Sequence, residues 1–264
     1  MASTVAYSQT YQEFIEKSYD FLDKGDLESS EESLKAAMRL EPANPLNYAL
    51  LCNLGTIQRR EGKKEEALLS YTAGLSGKSK DITLLENRAS LYSEMGETEK
   101  AINDYTALLL VDPTHQEALY CRGLLYIQTK NYLWAEQDFD KILEVNEKSV
   151  RARMGHAVLE KMRGNYLESE RIYNYLIDEM PKEWVLYEGR ADLYFLMGKN
   201  GRAMADINKI LSENKPTAAI YVLRGKIRLA QYETERAYAD FKKAEEMGYD
   251  KTVIDDLIRM TKNK

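Results

Sequence analysis

The groups in this sequence that could serve as bases, nucleophiles, metal ligands or phosphate binders are few: two histidines, two cysteines and one glycine-lysine-serine run. His115 and His156 each lack a second His or Cys at the spacing a metal site needs. Cys52 and Cys121 are too far apart in the chain to read as a ligand pair, and a chain of this size needs no covalent staple. Gly77, Lys78 and Ser79 imitate the end of a phosphate-binding loop, but Thr72 stands where the first glycine is required and no strand precedes it. Neighbouring carboxylates such as Glu65 and Glu66, or Asp255 and Asp256, are the ordinary dress of an exposed helix face. The expectation is a protein with no catalytic residue, no metal and no cofactor.

The elements that carry these residues are read from composition and pattern. The 264 residues are 44% hydrophobic and 30% charged, enough for a buried core and unlike a disordered tail. A net charge of −6 supplies no basic field for phosphate backbones, so no nucleic-acid partner is expected. Apolar runs are short and interrupted by charge, which excludes a membrane-spanning helix. Only five prolines accompany an abundance of Ala, Leu, Glu and Lys, favouring an all-α fold. Residues 1–8 lack the basic and apolar regions of a signal peptide, which predicts a cytoplasmic chain. Ala6, Tyr7 and Ser8 nevertheless resemble the end of a cleavage site, and an exported protein is the alternative if they close a longer leader.

A period of 34 residues organises the chain. Small residues recur at Ala67, Ala101, Ala135, Ser169, Ala203 and Ala237, joined by Ser30 once three extra residues around Asn44 to Asn47 are allowed. A second small series runs through Ser18, Gly55, Ala89, Gly123, Ala157, Ala191 and Gly225. Bulky residues follow the first series at Leu34, Tyr71, Tyr105, Phe139, Tyr173, Ile207 and Phe241. Glycines precede it at Gly25, Gly62, Gly96, Gly164 and Gly198, with Lys130 and Tyr232 as exceptions. Apolar residues at helical spacing on both sides of that glycine predict a helix hairpin per unit, the glycine ending the first helix and the small residues acting as packing notches. All five prolines, at 42, 45, 113, 181 and 216, fall at junctions. A tail (1–10) would precede repeats at 11–44, 48–81, 82–115, 116–149, 150–183, 184–217 and 218–251, and 252–264 would close the array with an amphipathic helix bearing Val253, Ile254, Leu257 and Ile258. Gly74 and Gly77 predict a kink at the end of the second repeat.

This 34-residue hairpin, with small residues at positions 8 and 20 and an aromatic at 24, resembles the tetratricopeptide repeat. The copies that carry the likeness best contain Tyr92, Gly96, Ala101, Tyr105 and Pro113, then Gly123, Tyr126, Tyr132 and Ala135. The resemblance implies a right-handed superhelical solenoid of seven repeats with a capping helix, acting as a non-catalytic scaffold. Its inner wall would bind a peptide or helix of a protein partner, or a second copy of the chain.

Two charged positions covary. Position 7 holds arginine and position 23 aspartate together in four repeats, which predicts ion pairs Arg88–Asp104, Arg122–Asp138, Arg190–Asp206 and Arg224–Asp240 as struts within hairpins. Repeat 5 has His156 and Ile172 there instead. The resemblance further implies partner contacts at inner positions 2, 5, 6, 9, 12 and 13. These include Asn53, Thr56 and Arg60, then Asn87, Ser90 and Glu94, then Tyr120, Leu124 and Gln128, and Met154 and Val158, with Glu86, Met162, Glu188, Asp192 and Lys226 beside them. Tyr120, Leu124, Met154 and Val158 would form an apolar anchor. The lysines of a carboxylate clamp for chaperone tails are absent from position 5 throughout.

Overall fold

A computed structural model of the chain describes residues 10–262, so the leader-like residues Ala6, Tyr7 and Ser8 lie outside the described residues. Fifteen helices and no strand occur among those described. The chain divides into two compact units between Asn131 and Tyr132. The first holds α1 (Tyr11–Asp23), α2 (Leu27–Leu40), α3 (Asn47–Arg60), α4 (Lys64–Gly77), α5 (Ile82–Glu94), α6 (Thr98–Leu109) and α7 (Gln116–Gln128). The second holds α8 (Tyr132–Val145), α9 (Val150–Arg163), α10 (Tyr166–Glu179), α11 (Trp184–Leu196), α12 (Asn200–Ser212), α13 (Ala218–Ala230), α14 (Thr234–Glu246) and α15 (Lys251–Lys262). No described helix is long and apolar enough to cross a membrane.

Local chemistry sets the helix ends. The side chains of Thr10, Asp26, Asp81, His115, Ser149 and Thr217 each accept a backbone N–H of the first turn that would otherwise lack a partner. His115 is thereby a helix cap. The turn between paired helices requires a left-handed residue, and Gly25, Gly62, Gly96, Gly164 and Gly198 supply it. Lys130 and Tyr232 take the same conformation, at φ 61° and 63°, despite carrying side chains. The extra residues before α3 are held by Asn47, whose Nδ2 donates to the carbonyl of Glu41 at 2.8 Å while its Oδ1 accepts from Tyr11 Oη at 2.9 Å.

Within each unit, consecutive helices pack as antiparallel hairpins, and each hairpin packs on the next. Ala67, Ala101, Ala203 and Ala237 are wholly buried where second helices cross first ones. Their serine counterparts also fit. Ser30 Oγ donates to Ser18 O at 2.8 Å and Ser169 Oγ donates to Ala157 O at 2.7 Å, so each hydroxyl is satisfied by the backbone it presses against. A Cβ on Gly55 or Gly225 would stand 2.6 Å from the Tyr71 ring or 2.4 Å from the Phe241 ring of the same hairpin. Gly155 and Gly189 do the same job between hairpins, accommodating Phe139 and Tyr173 of the preceding second helix.

Two expectations need correction. Helix α4 runs unbroken through Gly74 to Gly77. Gly74 is a close-approach site, since a Cβ there would lie 2.9 Å from both δ-carbons of Leu84 and 3.2 Å from the Tyr48 carbonyl. The closing helix buries Ile254 and Leu257, but Val253 is 41% exposed because the helix begins at Lys251 and turns that position outward.

Candidate partner-binding faces

The predicted strut is present in repeats 3, 6 and 7, each of whose two helices lie within one unit. Arg88 Nε and Nη2 donate to Asp104 Oδ2 and Oδ1 at 2.7 and 2.8 Å. Arg190 does the same to Asp206 at 2.9 and 2.7 Å, and Arg224 to Asp240, with 2.6 Å for its shortest contact. These are two-pronged, charge-assisted bonds with both partners mostly buried. The arginine also reaches the preceding repeat. Arg88 Nη1 donates to Thr72, Arg122 Nη1 to Thr106 and Arg190 Nη1 to Asn174, a short polar residue at position 25 in every case. Arg122 and Asp138 belong to different units.

Sequence reasoning missed a second family of clips. Glu31 is only 2% exposed and receives Gln58 Nε2 at 2.8 Å, Lys63 Nζ at 2.9 Å and Lys35 Nζ at 2.9 Å. Burial alone would raise its pKa; the donors Lys63, Lys35 and Gln58 overcome that and hold it down to about 2. Glu170, at the same repeat position, receives Lys199 Nζ at 2.9 Å and Tyr194 Oη at 3.0 Å from the next repeat, and Lys199 holds its pKa below the usual carboxylate range. Glu136 is bound by Arg163. The available signal was glutamate at position 21 followed by lysine at position 16 of the next repeat, present in Glu31/Lys63 and Glu170/Lys199.

First helices of successive repeats touch one another, α3 with α5 in the first unit and α9, α11 and α13 in turn in the second. The candidate binding residues lie on this row. In the first unit, Asn53 donates to Tyr19 Oη at 3.3 Å, and Thr56 Oγ1 sits 3.2 Å from Tyr71 Oη. Asn87 donates to Cys52 Sγ at 3.4 Å. Ser90 and Glu94 both receive Arg59, which grips Ser90 Oγ at 2.8 Å and the Glu94 carboxylate with two nitrogens. Much of the polar inventory of α3 and α5 is therefore spent between repeats. Arg60 is exposed and makes no ion pair among the described residues, and with Tyr19, Asn53 and Thr56 it borders a 90 Å³ cavity. On α7, Tyr120 and Leu124 are half-buried and Gln128 is exposed.

In the second unit Met154 and Val158 are half-buried on α9. Beyond them a cavity of about 400 Å³ opens between α11 and α13, lined by Glu188, Asp192, Phe195, Val222, Lys226 and Tyr249. Lys161 donates to Asp192 at 2.5 Å. Glu188 accepts from Thr217 Oγ1 at 3.2 Å and, among the described residues, forms no salt bridge, although Lys226 lines the same cavity. Burial pushes its pKa up, and the Asp192 charge adds to the effect. Glu188, Asp192 and Lys226 occupy inner positions named from the sequence; the apolar wall was not foreseen.

Among the described residues no cluster of His, Cys, Asp and Glu could hold a metal ion. Cys52 is buried, and burial raises its thiol pKa, which keeps it protonated and unreactive. Lys78 of the glycine-lysine-serine run is engaged by Tyr48 Oη and Asp81, both at 3.1 Å.

The tetratricopeptide repeat profile matches residues 15–81 and 87–149. A crystal structure of a tetratricopeptide repeat protein from Parabacteroides merdae ATCC 43184 is 76% identical, covers 97% of this chain and 100% of its own, and superposes with a TM-score of 0.95. MamA from Desulfovibrio magneticus RS-1 is 14% identical over 67% of this chain and 99% of its own, with a TM-score of 0.60. Yeast Tom70 is 13% identical over 100% of this chain and 66% of its own, with a TM-score of 0.63. At such identities these two share the fold alone. No curated protein matches the sequence. With its repeated hairpins, its struts and a 76% identical relative aligned over almost its whole length, the chain belongs to the tetratricopeptide repeat family.

Proposed function

We propose that the protein is a non-catalytic interaction scaffold whose first-helix faces receive an extended or helical segment of another protein. The observation that carries this reading is the 400 Å³ cavity between α11 and α13, where Glu188 is half-buried and forms no salt bridge among the described residues while apolar walls stand on either side. Desolvating a carboxylate costs free energy unless a partner returns it, and an incoming lysine or arginine would do so, its aliphatic stem lying along Phe195 and Leu196. The inner face of the first unit offers Tyr120 and Leu124 as further apolar contacts.

A displayed random-peptide library selected on the purified chain tests the proposal. Enriched peptides should contain a basic residue flanked by apolar ones, and Glu188→Gln together with Leu196→Ala should weaken them about tenfold or more. Enrichment indifferent to these substitutions and to Tyr120→Ala/Leu124→Ala would overturn it.

A further inference from the structure

Repeat 5 departs from its neighbours at the strut, and a cavity of about 640 Å³ stands beside the departure. In repeats 3 and 6 the guanidinium at position 7 bonds the aspartate at position 23 and lies over the tyrosine at position 11. Repeat 5 carries His156, Ile172 and Glu160 at those places. The shorter imidazole turns to the preceding repeat, its Nε2 standing 3.0 Å from Asp140 Oδ1 but off the line of a good hydrogen bond. Ile172, being apolar, gives nothing for a cation to grip. The cavity is floored by Leu143 and Ile172 and walled by Arg153, Tyr175, Glu160 and Glu168. It uses positions 4, 7 and 11 of α9, a different face from the inner positions, and so stands apart from the proposed groove.

The charges on its walls are not equivalent. Glu160 already receives Arg163 at 2.9 Å and Asn165 at 2.7 Å, one on each oxygen. Glu168 is held by both prongs of Arg171. Among the described residues Arg153 makes no ion pair; it stacks on the Tyr175 ring at 5.1 Å and spends one N–H on the Glu147 carbonyl. The carboxylates are thus compensated while one guanidinium, fixed against an aromatic ring, keeps unused donors beside an apolar floor. Volumes of this size are those of small-molecule sites.

We propose that this cavity binds a monocarboxylate attached to an apolar group, its carboxylate on Arg153 and its apolar part on Leu143 and Ile172. Two sources share that chemistry, a free aliphatic or aromatic acid and the apolar C-terminal residue of a peptide.

The test is titration of the full chain, by calorimetry and by NMR of the His156 ring, with hexanoate, with a tetrapeptide ending in leucine, and with the amide of each. Either acid binding at least tenfold more tightly than its amide is the expected result, and which acid binds identifies the source. Arg153→Met should remove that preference. His156→Arg/Ile172→Asp, which rebuilds the strut of repeats 3 and 6 inside the cavity, should abolish binding while the chain stays folded by circular dichroism. Equal affinity for acid and amide, no shift of the His156 ring with any ligand, or undiminished binding by the rebuilt variant would overturn the proposal.

Discussion

Repeats 5 and 6 lie side by side in the second unit and are built from the same hairpin, yet they fill the space between their helices differently. In repeat 6, Arg190 joins three helices at once, bonding Asp206 on its own second helix and Asn174 on the previous one, with Tyr187 and Tyr194 against its guanidinium. In repeat 5 the same place holds His156 and Ile172, the link to the previous repeat passes through Asp140, and open volume remains. Both hairpins keep their notches, Ala191 and Ala203 in one and Ala157 and Ser169 in the other, all buried. Small-residue notches therefore suffice to close a hairpin. The strut is a separate module laid over them, and its removal in one repeat leaves room for a ligand without opening the fold.

Breaking the strut tests this contrast at its strongest. Asp206→Ala leaves Arg190 mostly buried and unpaired, and should destabilise the second unit by about 3 kcal/mol in urea unfolding. His156→Ala, at the equivalent place in repeat 5, should cost about 1 kcal/mol or less. Equal losses would mean that the two repeats are stabilised alike.

The interface between the two repeats offers a sharper comparison at smaller scale. A Cβ on Gly189 would come within 2.5 Å of Tyr173 Oη, whereas Gly201, in the exposed first turn of α12, has nothing within 4 Å. Gly189→Ala should cost about 1–3 kcal/mol through overpacking, and Gly201→Ala should gain up to about 1 kcal/mol from helix propensity. Thermal unfolding of the two variants should therefore shift in opposite directions.

Acid probes the clip that ties repeat 5 to repeat 6. The native pKa of Glu170 lies below its ordinary value of 4.5, so its contribution is complete above that value and is lost as pH falls through the lower native one. Glu31 in the first unit behaves alike, with the loss running from about 4.5 down to about 2. Glu170→Gln should flatten the acid limb of stability measured below pH 4.5, the ordinary value of this carboxyl. An unchanged slope would show that the clip is not coupled to folding.

The smallest effect concerns the hairpin turns. Tyr232 and Lys130 hold left-handed φ values that favour glycine, and Tyr232→Gly should gain about 1 kcal/mol. These two residues also show what the sequence could and could not convey. Aligning the chain on itself marked both as exceptions to a glycine column, yet the turn imposes its geometry on them all the same. The strut was legible because both its ends recur inside one repeat, as in Arg88 and Asp104. The clips at Glu31 and Glu170 were not, because each joins position 21 of one repeat to the next and only some repeats use it. Gly155 and Gly189 were hidden for a similar reason: they serve the aromatic of a neighbouring hairpin, and nothing within their own repeat demands them. Among the inner residues, the polar character of Ser90 and Glu94 was legible, but their engagement by Arg59 is a contact between repeats that spacing does not announce.

The most direct measurement is a double-mutant cycle on Arg190 and Asp206, comparing Arg190→Met, Asp206→Ala and the pair in urea unfolding. A favourable coupling of about 1.5 kcal/mol or more is the result expected of a two-pronged, mostly buried pair that acts as a strut. A coupling near zero, with the single losses simply adding, would show that these charges stand near one another without holding the repeats together.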